Sequence, residues 1–257
     1  MKKLLCIFFF CLECCLLSQD LRISTIGTNV TEKETIALQH SLRFQNAFFR
    51  KQYGDVLDED IKVIVFGDYS DFYRYANNCC ALGRFTTAFF IEQKKEIVVF
   101  KNEEFIRSLS HEISHALTVG RGLHKYPWFD EGLAEVLSTY HLDSLGQLNN
   151  EVLFLTDSLK IGARTTRGLK RFMNFERKEW DALTPNESYG MAWVLVNYLY
   201  QEDRILLTKI LDGISRDVSP AETIASNGEK GIKDFVRSLK RHYRRNKYKL
   251  VKTRQKL

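Results

Sequence analysis

Disulfides are the first device this sequence lacks. Four of its six cysteines, Cys6, Cys11, Cys14 and Cys15, fall at the very start of the chain, and beyond them only the adjacent pair Cys79-Cys80 remains. Neighbouring cysteines bridge poorly because the peptide between them must distort, so the pair reads as two small, partly buried side chains. Proline is equally scarce, at three in 257 residues, while there are 18 Phe and 11 Tyr. That balance excludes a disordered or low-complexity chain, and no repeat of fixed period excludes a solenoid. With 44% hydrophobic and 27% charged residues the composition is that of an ordinary globular protein.

Long apolar runs are also missing, with one short exception. Met1-Lys2-Lys3 precedes an apolar stretch from Leu4 to Leu17 that is too short to cross a bilayer comfortably. A basic start followed by such a run is the pattern of a secretory signal peptide, expected over residues 1–18 with cleavage near Ser18. Export to the periplasm or the exterior follows from it. Glu13 interrupts the run, and a lipoprotein or a retained anchor is the alternative raised by Cys14 and Cys15. The residues before those cysteines lack the small side chains of a lipidation site.

Acid is absent from the end of the chain. The net charge is +6, yet Arg237 to Lys256 carries Lys and Arg with no Asp or Glu, which leaves the remainder slightly acidic. Such a tail, residues 237–257, suits contact with an anionic surface, or a solvated helix end, and gives no signal for specific nucleic acid.

What is present reads as an α+β protein. Thr31 to Tyr53 carries Ile36, Leu38, Leu42, Phe44, Phe48 and Phe49 near helical spacing, closed by Gly54. Ile61 to Phe66 is a β-branched strand, and Asp68 caps a following helix with Phe72, Tyr73 and Tyr75. Phe85–Ile91 and Glu96–Phe100 form a hairpin, and the second strand is expected to offer an edge to an extended peptide. From Asn102 the pattern turns helical: an apolar stripe of Phe105, Ile106, Leu109, Ile113, Ala116 and Leu117, ended by Gly120. Further helices are expected at Asp130–Tyr140, Glu151–Lys160, Tyr189–Tyr200, Arg204–Ile214, after Ser219-Pro220, and from Ile232 into the tail. This places an N-terminal α/β lobe with a small mixed sheet over residues 19–120 and a mainly helical lobe over 121–236.

Residues 111–115 are His-Glu-Ile-Ser-His. On a helix, positions i and i+4 share a face, so both imidazoles can reach one metal ion. Zinc suits two neutral nitrogens and a carboxylate, because the fourth tetrahedral position stays open for water, whose pKa the cation lowers to about 7. Glu112, beside the two histidines, is the candidate general base. The run Trp128-Phe129-Asp130-Glu131-Gly132-Leu133-Ala134-Glu135 supplies two acids on one helical face. Glu131 is the expected third ligand, and Glu135, one turn on, the acid that orients a ligating histidine; the reverse assignment is the alternative.

HEISH followed by WFDEGLAEVL resembles the gluzincin metallopeptidases, and is most similar to the small bacterial peptidase-MA-like proteins, over about Ile61 to Leu199. The resemblance implies a zincin-like fold and peptide-bond hydrolysis. It also implies His111, His115 and Glu131 as zinc ligands and Glu112 as base. The interval from His115 to Glu131 is slightly shorter than in the large aminopeptidases, and their G-A-M-E-N run is absent, so aminopeptidase activity is not implied. Mechanism calls for an oxyanion donor as well, and Tyr189 is the first choice, with His124 and His141 behind it. A core tyrosine is the plain alternative. Rival functions are a zinc amidase acting on cell-wall peptide, a catalytically inactive zinc-fold binding protein, and a polyanion binder working through the tail.

Overall fold

The computed structural model describes residues 20–54, 60–79, 86–142, 148–150, 165–228 and 231–254. The signal peptide expected over residues 1–18 and the helix expected at Glu151–Lys160 lie outside the described residues. So do the side chains of the tail beyond Tyr243. Among the described residues no helix is long and apolar enough to cross a membrane. The chain is a mixed α+β protein and divides into two compact units, Met1–Leu117 and Thr118–Leu257.

The first unit is built on a four-stranded mixed sheet. Its strands are β1 (Leu21–Ile26), β2 (Ile61–Phe66), β3 (Ala88–Ile91) and β4 (Glu96–Phe100), in the order β1-β2-β4-β3. β1 runs parallel to β2 and β2 parallel to β4, whereas β3 returns antiparallel to β4. The turn between β3 and β4 works because Lys95 takes the left-handed conformation, with φ of 50°. The expectation that Glu96–Phe100 offers an edge is therefore wrong. β4 is bonded on both sides, its three central residues are buried, and the edges belong to β1 and β3.

Two helices precede the histidine helix in the first unit. Helix α1 (Glu32–Tyr53) starts at a capping box, in which Glu34 N–H donates to the Thr31 hydroxyl and the Glu34 carboxylate accepts from Thr31 N–H. Gly54 ends it at φ of 79°. Its apolar stripe is only partly as expected. Leu38, Leu42 and Phe49 are fully buried, but Ile36 is half exposed and Ser41, Gln45 and Asn46 are buried in its place. Helix α2 (Tyr69–Cys79) is capped by Asp68, whose carboxylate accepts from Ser70 and Asp71 N–H groups at 2.8 and 3.0 Å. It packs Phe72 and Ala76 onto Phe66, Phe89, Ile91 and Val98. The Cys79 thiol donates to the Tyr75 carbonyl at 2.8 Å, consistent with a small, half-buried side chain.

Helix α3 (Phe105–Thr118) closes the first unit. Asn102 accepts from Glu104 N–H at 3.0 Å, so the residues 102–104 form a turn ahead of the helix rather than its first turn. Phe105, Leu109, Ile113, Ala116 and Leu117 are buried as expected. Beneath them α1 meets α3 through polar groups. Gln45 Nε2 donates to the Ser110 carbonyl at 2.7 Å and to both serine hydroxyls at 3.2 Å, while Ser41 and Ser110 bond each other.

The second unit is mainly helical. Helix α4 (Pro127–Thr139) starts three residues before the expected Asp130, with proline in its first turn where a missing N–H costs nothing. After it come a short hairpin of β5 (Tyr140–Leu142) and β6 (Leu148–Asn150), then α5 (Thr166–Met173) and α6 (Arg177–Asp181). The remaining helices are α7 (Pro185–Glu202), α8 (Arg204–Ser215), α9 (Pro220–Ser226) and α10 (Ile232–Arg254). Capping boxes at Thr184 and Ser219 start α7 and α9. Nearly every residue of α4 is buried, and α7 supplies the wall it packs on, with Trp193, Val194, Val196 and Leu199 fully covered. Tyr243 on α10 ties in by donating to the Val194 carbonyl at 2.8 Å.

Candidate metal centre

The helical repeat alone brings the two histidines together. His111 and His115 are one turn apart on α3, both half-buried, with their Nε2 atoms 3.1 Å from each other. Two nitrogens on one tetrahedral zinc, at Zn–N of about 2.0–2.1 Å, would be roughly 3.3 Å apart, so the rings already converge on one point. His111, His115 and Glu131 each present a ligand atom within 4.8 Å of the other two, and this group could hold a metal ion. The donor set fits: two imidazoles and a carboxylate are ligands that zinc accepts, and three ligands leave one tetrahedral position open.

Glu131 owes its position to the packing of α4. Trp128, fully buried, donates its indole N–H to the Met173 carbonyl at 3.0 Å and pins the first turn. One residue beyond Glu131, a Cβ on Gly132 would come within 2.7 Å of the Ala192 carbonyl and 2.8 Å of Val196 Cγ2. Only glycine lets α4 approach α7 this closely. The glutamate is consequently 7% exposed. Glu135, one turn later, is buried on the same helix at 8%. Glu112 is half-buried on α3 between the two histidines.

A further charged group stands against Glu131. Arg177, at the start of α6, donates from Nη1 to Glu131 Oε1 at 3.4 Å and from Nε to Asp181 Oδ1 at 3.0 Å. Burial would lower its pKa, but attraction to Glu131 and then Asp181 outweighs this, with a smaller contribution from Tyr189, and holds it above the ordinary value. Sequence reasoning missed Arg177. It lies 46 residues beyond Glu131 in a five-residue helix too short to show periodicity.

Tyr189 does not open a helix as expected. It lies one turn inside α7, half-buried, with its ring edge-on to Trp180 at 5.5 Å. Of the second choices, His124 is exposed in a 3-10 turn, Leu123–Lys125, and the side chain of His141 lies outside the described residues. Comparison with family models and with curated proteins gives no match for this chain.

Proposed function

We propose that this chain is a zinc-dependent peptidase of gluzincin type with a zincin-like fold, its metal held by His111, His115 and Glu131. The single observation that carries the reading is the convergence of those three side chains within 4.8 Å. Bound zinc would acidify a water molecule and polarise the scissile carbonyl. Glu112 would take a proton from the water whose oxygen adds to the scissile carbonyl carbon, and would return it to the amine nitrogen as the C–N bond breaks, which requires a carboxylate beside the histidines and not among the ligands. Tyr189 donates to the oxyanion, and Glu135 accepts from the far nitrogen of a ligating histidine, fixing its tautomer. An extended peptide adds along the antiparallel edge strand β3 by main-chain hydrogen bonds, which allows broad side-chain tolerance. The N-terminal leader directs the chain out of the cytoplasm, and peptides or proteins met there are the substrates.

Metal analysis of the purified protein together with a peptide-library assay tests this. Wild type should hold one zinc per chain and cleave peptides. His115→Ala should lose the metal, whereas Glu112→Gln should keep it and lose turnover by at least about 100-fold. Full activity of Glu112→Gln, or zinc content unchanged by His115→Ala, would refute the reading.

A further inference from the structure

Arg177 and a metal ion draw on the same carboxylate. The surroundings of the three groups differ: the Glu131 side chain is 9% exposed, that of Arg177 63% and that of Asp181 57%. A carboxylate as covered as Glu131 is costly to keep charged unless a cation compensates it. Arg177 is one such cation, set on the solvent side, and a guanidinium never gives up its charge. A divalent ion on Glu131 would compensate the carboxylate by itself and repel the guanidinium. Arg177 can then withdraw at little cost, being largely exposed and keeping Asp181, one turn along α6, as a partner.

We propose that Arg177 is a resident counter-cation of Glu131, which zinc must displace, so that it helps sustain the zinc-free protein and lowers zinc affinity by competition. The inference rests on the metal reading above, and Arg177 acts through Glu131 alone, as a competitor of the metal for that carboxylate. Linkage gives the sign. A contact made only in the zinc-free protein is surrendered on binding, so removing it destabilises that form and tightens zinc. An arginine that instead oriented Glu131 for the metal would act oppositely, since loss of such a supporting partner weakens binding by about 10–100-fold.

The test uses the full chain, zinc alone as titrant, and thermal melts in excess chelator and in saturating zinc. Arg177→Gln should melt below wild type in chelator and level with it in zinc. Its zinc Kd should fall about tenfold, between the small effect of an exposed ion pair and the large one of a buried pair. Arg177→Lys keeps the charge without the fork and should fall between the two, and it carries the comparison if Arg177→Gln does not fold. In chelator, Glu131→Gln combined with Arg177→Gln should cost no more than the worse single change. Weaker or unchanged zinc binding in Arg177→Gln, or additive losses in the double variant, overturns the proposal while leaving the metal reading intact. Failure of wild type to bind zinc overturns both.

Discussion

Gly132 lies so close to Ala192 that a methyl group on its Cα would come within 2.7 Å of the Ala192 carbonyl oxygen. Neither the carbonyl nor the α7 backbone that carries it can rotate away, so Gly132→Ala must push α4 from α7. Overpacking of this kind costs about 1–3 kcal/mol, more than the helix propensity gained on replacing glycine. Because Glu131 precedes Gly132, the same shift moves a candidate ligand. The variant should lose stability in a denaturant titration and also bind zinc more weakly; a stability loss with zinc affinity intact would show that the packing does not position Glu131.

Chelation should expose the metal's share of stability. If zinc binds the folded chain and not the unfolded one, melting in excess chelator should be lower than with zinc at 100 times its Kd, by about 2.7 kcal/mol in stability. His111→Ala, His115→Ala and Glu131→Ala should each abolish that difference. A melting temperature indifferent to chelator in wild type would mean that the three side chains converge without holding a metal.

How much of this was legible in the sequence depends on how local each feature is. His111, Glu112 and His115 could be read because the helical repeat that unites them is contained in five residues. Glu131 was legible because one loop separates its helix from theirs. Arg177 was not, since its tie to Glu131 spans 46 residues and its helix has five. Strand β1 was missed for a different reason: only Leu21 of its six residues is buried, so the edge strand shows no alternation. In α1 the hydrophobic stripe misled at Ile36 because Ser41, Gln45 and Asn46 took core positions, a choice that makes sense only with Ser110 opposite. The order β1-β2-β4-β3 was likewise hidden, because local pattern reveals a strand but not its neighbours.

That buried polar contact yields a prediction of its own. Gln45 donates to the carbonyl of Ser110, the residue before His111, and all three participants, Ser41, Gln45 and Ser110, are buried. Gln45→Ala removes a donor from a covered carbonyl and leaves a cavity. The unmade hydrogen bond and the void together should cost about 2–4 kcal/mol. Gln45→Glu should be worse at neutral pH, since it buries a charge beside two hydroxyls and a carbonyl. Denaturant midpoints of the two variants check the order, and an unaffected Gln45→Ala would mean that α1 and α3 are held by their apolar contacts alone.

His242 is a buried titratable group of the second unit. It is buried on α10 against Tyr198 and Tyr243, and its Nδ1 lies 3.2 Å from Glu202 Oε1. Burial pushes its pKa below the ordinary 6.5, and the half-exposed Glu202 restores only part of the shift. The unfolded chain therefore takes up a proton at a higher pH than the folded one. The contribution of His242 to stability is fully present above about pH 6.5 and is lost as the pH falls from there toward its lowered folded pKa. Glu202→Gln removes the attraction that favours the protonated ring, so acid should destabilise that variant more than wild type. His242→Phe should melt with a shallower dependence between pH 5 and 8. Equal slopes for wild type and His242→Phe, in melts at matched ionic strength, would show that this histidine titrates alike in the folded and unfolded chain.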